Sequence, residues 1–171
     1  RFFLSDRSAY GGAAKALAQL GTEGVKPLLL ACYNDDGDLR AAALNNLGLQ
    51  RVEAAVDPAL YNLGSDPNNE KGEAITALGF IGDRRAVPAL IPFLKDKDNR
   101  EAAVTSLGLL RDPRAVDAIL PTLLVTEKRY RNAVILALRR IGAPAFSTLV
   151  RELSAPALLV RTGAPDVETA F

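Results

Sequence analysis

The sequence predicts an all-α fold, a right-handed α-solenoid of about five helix pairs with partial repeats at both ends. Three observations predict it. Four residue columns recur about every thirty positions along the chain. Each copy holds two stretches whose apolar residues fall at helical spacing. The 171 residues are 49% hydrophobic but only 6% aromatic, so the core must be built from Leu, Ala, Val and Ile. Small aliphatic side chains suit closely packed helices, and Ala and Leu are strong helix formers.

The columns are found by sliding the chain against itself. Leu17, Leu47, Leu78, Leu107 and Leu138 form the first, with steps of 30, 31, 29 and 31. A second anchor reads Val25, Val56, Val87, Val116 and Phe146. A third, seven residues later, reads Cys32, Leu63, Leu94, Leu123 and Leu153. A basic column seven before the leucine reads Tyr10, Arg40, Lys71, Arg100 and Arg131, and only its first member departs. A period near thirty leaves room for two helices of about 10–14 residues and two tight turns. The copies are expected at about 7–35, 36–66, 67–97, 98–126 and 127–155, within one domain spanning 1–171.

In the third copy Ala74, Ile75, Leu78 and Ile81 share one face of a first helix, and Val87, Leu90, Ile91 and Leu94 share one face of a second. Gly21, Gly82 and Gly142 stand where first helices must stop, since Gly tolerates the left-handed cap. Asp83 and Asp112 are placed to N-cap second helices. Asp98 with Glu101 resembles a capping box for the next helix. Pro27, Pro58, Pro88, Pro113 and Pro144 fall early in second helices. Pro92 and Pro121 lie deeper, where a proline costs about 3 kcal/mol, so a bend is expected in both of those helices. No segment alternates with period two, as a strand would.

Both ends look cut. Phe3-Leu4-Ser5-Asp6 matches Phe93-Leu94-Lys95-Asp96, the end of a second helix. Residues 156–171 read as an irregular tail or a partial sixth copy starting near Arg161. The apolar Phe2, Phe3 and Phe171 suggest missing repeats or ends that pack on something, since a solenoid needs polar end caps.

The string Ala77 to Leu90 resembles the HEAT-like repeats named for phycobilisome lyases, and Arg111 to Val116 fits the same pattern. The resemblance covers about residues 8–154. It implies a scaffold fold that hosts chromophore-lyase subunits, appended enzyme domains and binding proteins. It also implies a structural ladder, in which a turn acid bonds a base at the start of a first helix. Asp83 and Asp112 match the acid; Arg40, Lys71, Arg100 and Arg131 match the base. Val52 and Ala143 lack the acid, so the ladder is expected to be incomplete.

No catalytic, metal or cofactor site is expected. The chain has no histidine, which removes Ser-His-Asp and Cys-His catalysis and the di-iron chemistry of HEAT-like hydroxylases. Cys32 alone cannot hold structural zinc, and its column argues for burial over reactivity. Asp35-Asp36-Gly37-Asp38 lacks the ligand spacing of a calcium loop. Gly11-Gly12 has no Gly-Lys-Ser/Thr after it. Asp57 and Asp117 share a column but sit two repeats apart, about 20 Å at usual helix spacing, too far to act on one bond.

The second helices carry columns that change freely: Lys26, Asp57, Pro88, Asp117, Ser147; then Leu30, Tyr61, Pro92, Pro121, Arg151; then Ala31, Asn62, Phe93, Thr122, Glu152. In HEAT-like arrays these line the concave side. A protein-binding groove is expected there, with Tyr61, Arg85, Phe93, Arg114, Asp117 and Arg151 as partner contacts. Arg84, Arg85, Arg111 and Arg114 form a small basic cluster, as do Arg139 and Arg140. The net charge of +1 and the absence of Trp argue against the DNA-gripping mode of HEAT-like alkylpurine glycosylases. The expected partner is a protein, with no membrane; the alternative is an accessory subunit of an enzyme such as a bilin lyase, and a nucleic-acid-binding HEAT-like protein is the less favoured third reading. A lone cysteine and no visible signal peptide fit a cytoplasmic location.

Overall fold

The computed structural model describes residues 7–65, 71–124 and 127–153. Among them the chain forms helices and turns and no strand. The helices are α1 (Arg7–Gln19), α2 (Thr22–Ala31), α3 (Gly37–Leu49), α4 (Val56–Ser65), α5 (Lys71–Ile81), α6 (Val87–Leu90), α7 (Arg100–Leu110), α8 (Val116–Ile119), α9 (Lys128–Ile141) and α10 (Ala143–Leu153). The first helices α1, α3, α5, α7 and α9 stack on one another in chain order. The second helices α2, α4, α6 and α8 each lie against the first helix that follows. This is the expected α-solenoid.

The leucine column is its spine. Leu47, Leu78 and Leu107 are 0% exposed and Leu138 is 6%. Each buried leucine contributes about 1.5–3 kcal/mol over an exposed one. Leu17, in the first pair, is half-buried. The first helices come unusually close because a glycine follows three of these leucines. A Cβ on Gly48 would stand 2.7 Å from the Ala77 Cα, and one on Gly79 would stand 2.8 Å from the Ser106 Cα. Mid-helix Gly costs about 1 kcal/mol relative to Ala, so its recurrence reflects packing and not propensity.

First helices stop at a residue with positive φ. Gly21, Gly82 and Gly142 do so with φ of 61°, 87° and 84°, and Arg51 and Arg111 occupy the same column with φ of 55° and 50°. Asp83 and Asp112 then cap as expected, accepting from the backbone N–H of Arg85 and Arg114. A 3-10 turn leads into the second helix at Glu53–Ala55, Arg84–Ala86 and Pro113–Ala115.

Pro92 and Pro121 act through hydrogen-bond pattern. The α-helix ends at Leu90 and at Ile119, and the chain continues as 3-10 helix over Ile91–Lys95 and Leu120–Leu124. A proline lacks the N–H that would bond four residues back, and the tighter turn accommodates that loss.

Three local expectations need correction. Pro27 lies inside α2, because that helix begins directly at Thr22. Asp98 does not cap α7. Asp96 organises that turn, accepting from Asp98 N at 3.0 Å and Asn99 Nδ2 at 2.9 Å. Phe146 is not a core anchor; it is 69% exposed while Ala145 is 1%. The turns at Gly21 and Gly142 are one residue shorter than those at Arg51, Gly82 and Arg111, and α2 and α10 start without a 3-10 lead. That changes helix phase, and the small residue before the anchor takes the inner slot. Gly24, Ala55, Ala86, Ala115 and Ala145 are buried in all five pairs.

The Phe3–Asp6 match, the copy near Arg161 and the side chain of Leu153 lie outside the described residues. No single described helix is long and apolar enough to cross a membrane. The chain direction turns by 115° between α9 and α10.

Candidate functional site

A row of exposed side chains follows the second helices. Leu30 is 68% exposed and Tyr61 is 56%, and the exposed Pro92, Pro121 and Arg151 continue the row. Tyr33, at 52%, stacks on Tyr61 with ring centroids 5.3 Å apart and planes tilted by 52°. Asp57, Arg85, Arg114 and Asp117 are also exposed. Phe93 is half-buried, with the Lys71 ammonium 5.6 Å from its ring centroid. Asn62 leaves the expected variable surface. It is buried, donates to Cys32 O at 2.9 Å and Pro58 O at 2.8 Å, and accepts from Arg40 Nε at 3.1 Å. It bolts one helix pair to the next.

The ladder that forms is not the expected one. Asp83 binds Arg85 at 2.8 Å, and Asp112 binds Arg114 at 2.7 Å. The Asp-x-Arg spacing on a 3-10 turn brings each guanidinium back over its own capping carboxylate. These arginines hold both carboxyls below the usual carboxylate range, and burial opposes them. The helix-start bases go elsewhere. Arg40 Nη1 donates to the carbonyls of Asn34 and Asp35, each at 3.0 Å. Arg100 bonds Glu127 and lies 4.8 Å over the Tyr130 ring. Lys71 covers Phe93, and Arg131 is exposed on α9.

Neighbouring pairs are tied by other groups. Arg85 reaches Asp57 at 3.6 Å, Arg114 Nη2 donates to Arg84 O at 3.0 Å, and Arg151 reaches Asp117 at 3.5 Å. Arg129 meets Glu101 at 2.9 Å. Four of the six expected partner contacts thus stand in exposed inter-repeat ties. Such ties are weak, so these side chains can be redirected toward a ligand at little cost.

This stacking of paired helices with recurring caps is matched at the sequence level. The family described as HEAT repeats matches residues 34–101 and again 56–139, together more than half of the chain. The chain belongs to the HEAT-repeat family. No curated protein matches it.

HEAT repeats are commonly interaction scaffolds. Cys32 is 0% exposed, its Sγ donates to Leu28 O at 3.3 Å, and burial pushes its thiol up to about 12. It is not a nucleophile at neutral pH. Among the described residues no three His, Cys, Asp or Glu side chains gather as a metal site. Grooves lie among the described residues. One, of about 450 Å3, runs over the first helices beside Phe80, Leu109, Glu101 and Arg129. Another, of about 350 Å3, is apolar and lies at the last pair beside Leu123, Ile135, Phe146 and Leu149. The sequence columns missed the second groove because Phe146 was counted as core.

Proposed function

We propose that the chain is a non-catalytic scaffold that binds a protein partner along the face formed by its second helices, the concave face of the array. One observation carries this reading. Leu30, Tyr33 and Tyr61 form an exposed apolar cluster, and the row continues through two prolines with mixed charges beside it. A rigid aromatic and aliphatic centre with a polar rim is how stable protein interfaces are built. Tyr61, Arg85, Phe93, Arg114, Asp117 and Arg151 are the contacts proposed on this face.

Site-specific photocrosslinking tests it. A crosslinker at Tyr61 or Arg114 should trap a discrete partner from the native extract, and one at Asn45, exposed on a first helix, should not. Equal capture from both positions overturns the reading. The repeat string at 77–90 also supports an accessory role beside an enzyme such as a bilin lyase. Visible absorbance of the purified complex separates that reading from a pigment-free scaffold.

A further inference from the structure

The last pair differs from the inner ones in a way that marks a second docking surface, independent of the second-helix row. Along α7, Arg100, Val104 and Gly108 form one stripe, and α9 packs against it. Arg131, Ile135 and Arg139 are the same stripe on α9, one repeat later. Leu44, Ile75 and Val104 are 2%, 0% and 0% exposed in this column, and Ile135 is 45%. Phe146, turned outward on α10 by its short turn, stands at 69%. Ile135, Leu138, Phe146, Leu149 and Leu123 line the apolar groove of about 350 Å3.

The inner repeats show what covers such a stripe: a helix. They also show how its start is held. Arg100 bonds Glu127, the residue just before α9. Arg131 occupies the Arg100 position, so an incoming helix with a carboxylate near its start finds a cation there. Arg139 occupies the glycine position. Its side chain stands where the inner repeats stack closely on a glycine, which favours a helix that stands off and brings a second carboxylate. Lys128, Arg129, Arg131, Arg139, Arg140 and Arg151 crowd these two helices, against the acids Glu127 and Glu152. A second copy of this chain would set basic faces against each other.

We propose that the outer face of α9 and α10 docks an acidic amphipathic helix of a partner protein. Its apolar stripe enters the groove at Ile135, Leu138, Phe146 and Leu149, and its flanking carboxylates pair with Arg131 and Arg139. This is the helix-in-groove mode, with charge supplying specificity.

The test uses the full chain and a labelled synthetic helix of about five turns, Leu on one face and Glu on both flanks. Fluorescence anisotropy should show saturable binding that weakens with salt. Arg139→Glu and Phe146→Asp should each weaken it about tenfold or more. Both side chains are exposed, so circular dichroism should show unchanged helix content, and Arg84→Glu serves as a charge control that retains binding. Equal affinity for the Lys-flanked version of the helix overturns the proposal. So does retained binding by Phe146→Asp. Capture by vesicles of about 30% phosphatidylserine with none by the helix assigns the face to a membrane and overturns it too. A concentration-dependent dimer abolished by Phe146→Asp would assign it to self-association, with the same consequence.

Discussion

Gly108 and Ala137 lie so close that a Cβ on the glycine would stand 2.6 Å from the Ala137 Cα. That contact sets the spacing between α7 and α9, and the Gly48–Ala77 and Gly79–Ser106 contacts repeat it along the stack. The opposing atoms include backbone, which cannot rotate away. Gly79→Ala and Gly108→Ala should therefore each destabilise by about 1–3 kcal/mol, as overpacking does. Gly64→Ala, in α4 with open space around the site, should be neutral or slightly stabilising. Urea unfolding midpoints check the contrast.

Removing the spine should cost more. Leu78→Ala and Leu107→Ala each empty a fully buried site, and a loss of about 2–5 kcal/mol is expected for each. Losses under about 1 kcal/mol at both would mean that the leucine column is not the core.

Asp112 links stability to pH. Its folded carboxyl sits below the unfolded value because Arg114 and a backbone N–H favour the charged form. A depressed carboxylate stabilises at neutral pH, and that contribution disappears as pH falls through the folded value. Wild type should exceed Asp112→Asn in thermal midpoint at pH 7, and the gap should close below about pH 4, near the unfolded carboxylate value. Asp112→Ala also removes the cap and should lose about 1–2 kcal/mol at pH 7. A gap that widens on acidification would contradict the assignment.

The Tyr130 hydroxyl is buried and has no hydrogen-bond partner among the described residues. Tyr130→Phe should be neutral or stabilising by up to about 1–2 kcal/mol, because it removes an unpaired polar group. The ring remains beneath Arg100, so Tyr130→Ala should be strongly destabilising. Chemical denaturation of the two variants separates hydroxyl from ring.

Cys32 should resist iodoacetamide at pH 8 in the native protein and react readily in denaturant. Its thiol is fully enclosed and pushed up to about 12. Mass spectrometry of timed labelling reads the difference.

The sequence by itself determined the helix pairs, their thirty-residue register and the caps at Gly82, Asp83 and Asp112. These follow from local chemistry: helical spacing of apolar residues, left-handed tolerance and side-chain capping. The leucine column was legible because a buried position must stay apolar in every copy. The glycines at 48, 79 and 108 each follow a column leucine, and their role as close helix contacts needed the neighbouring backbone. Only the tertiary structure decided the rest. Asp83 and Asp112 turned to Arg85 and Arg114, because the geometry of a 3-10 turn favours the nearer guanidinium over one at the next helix. Asn62 moved inward because a carbonyl of the adjacent pair needed a donor. Phe146 moved outward because a turn one residue shorter rotates the helix that follows. A column records a place in the repeat. Whether that place faces core or solvent depends on helix phase and on what lies next to it, and both are set by neighbours distant in the chain.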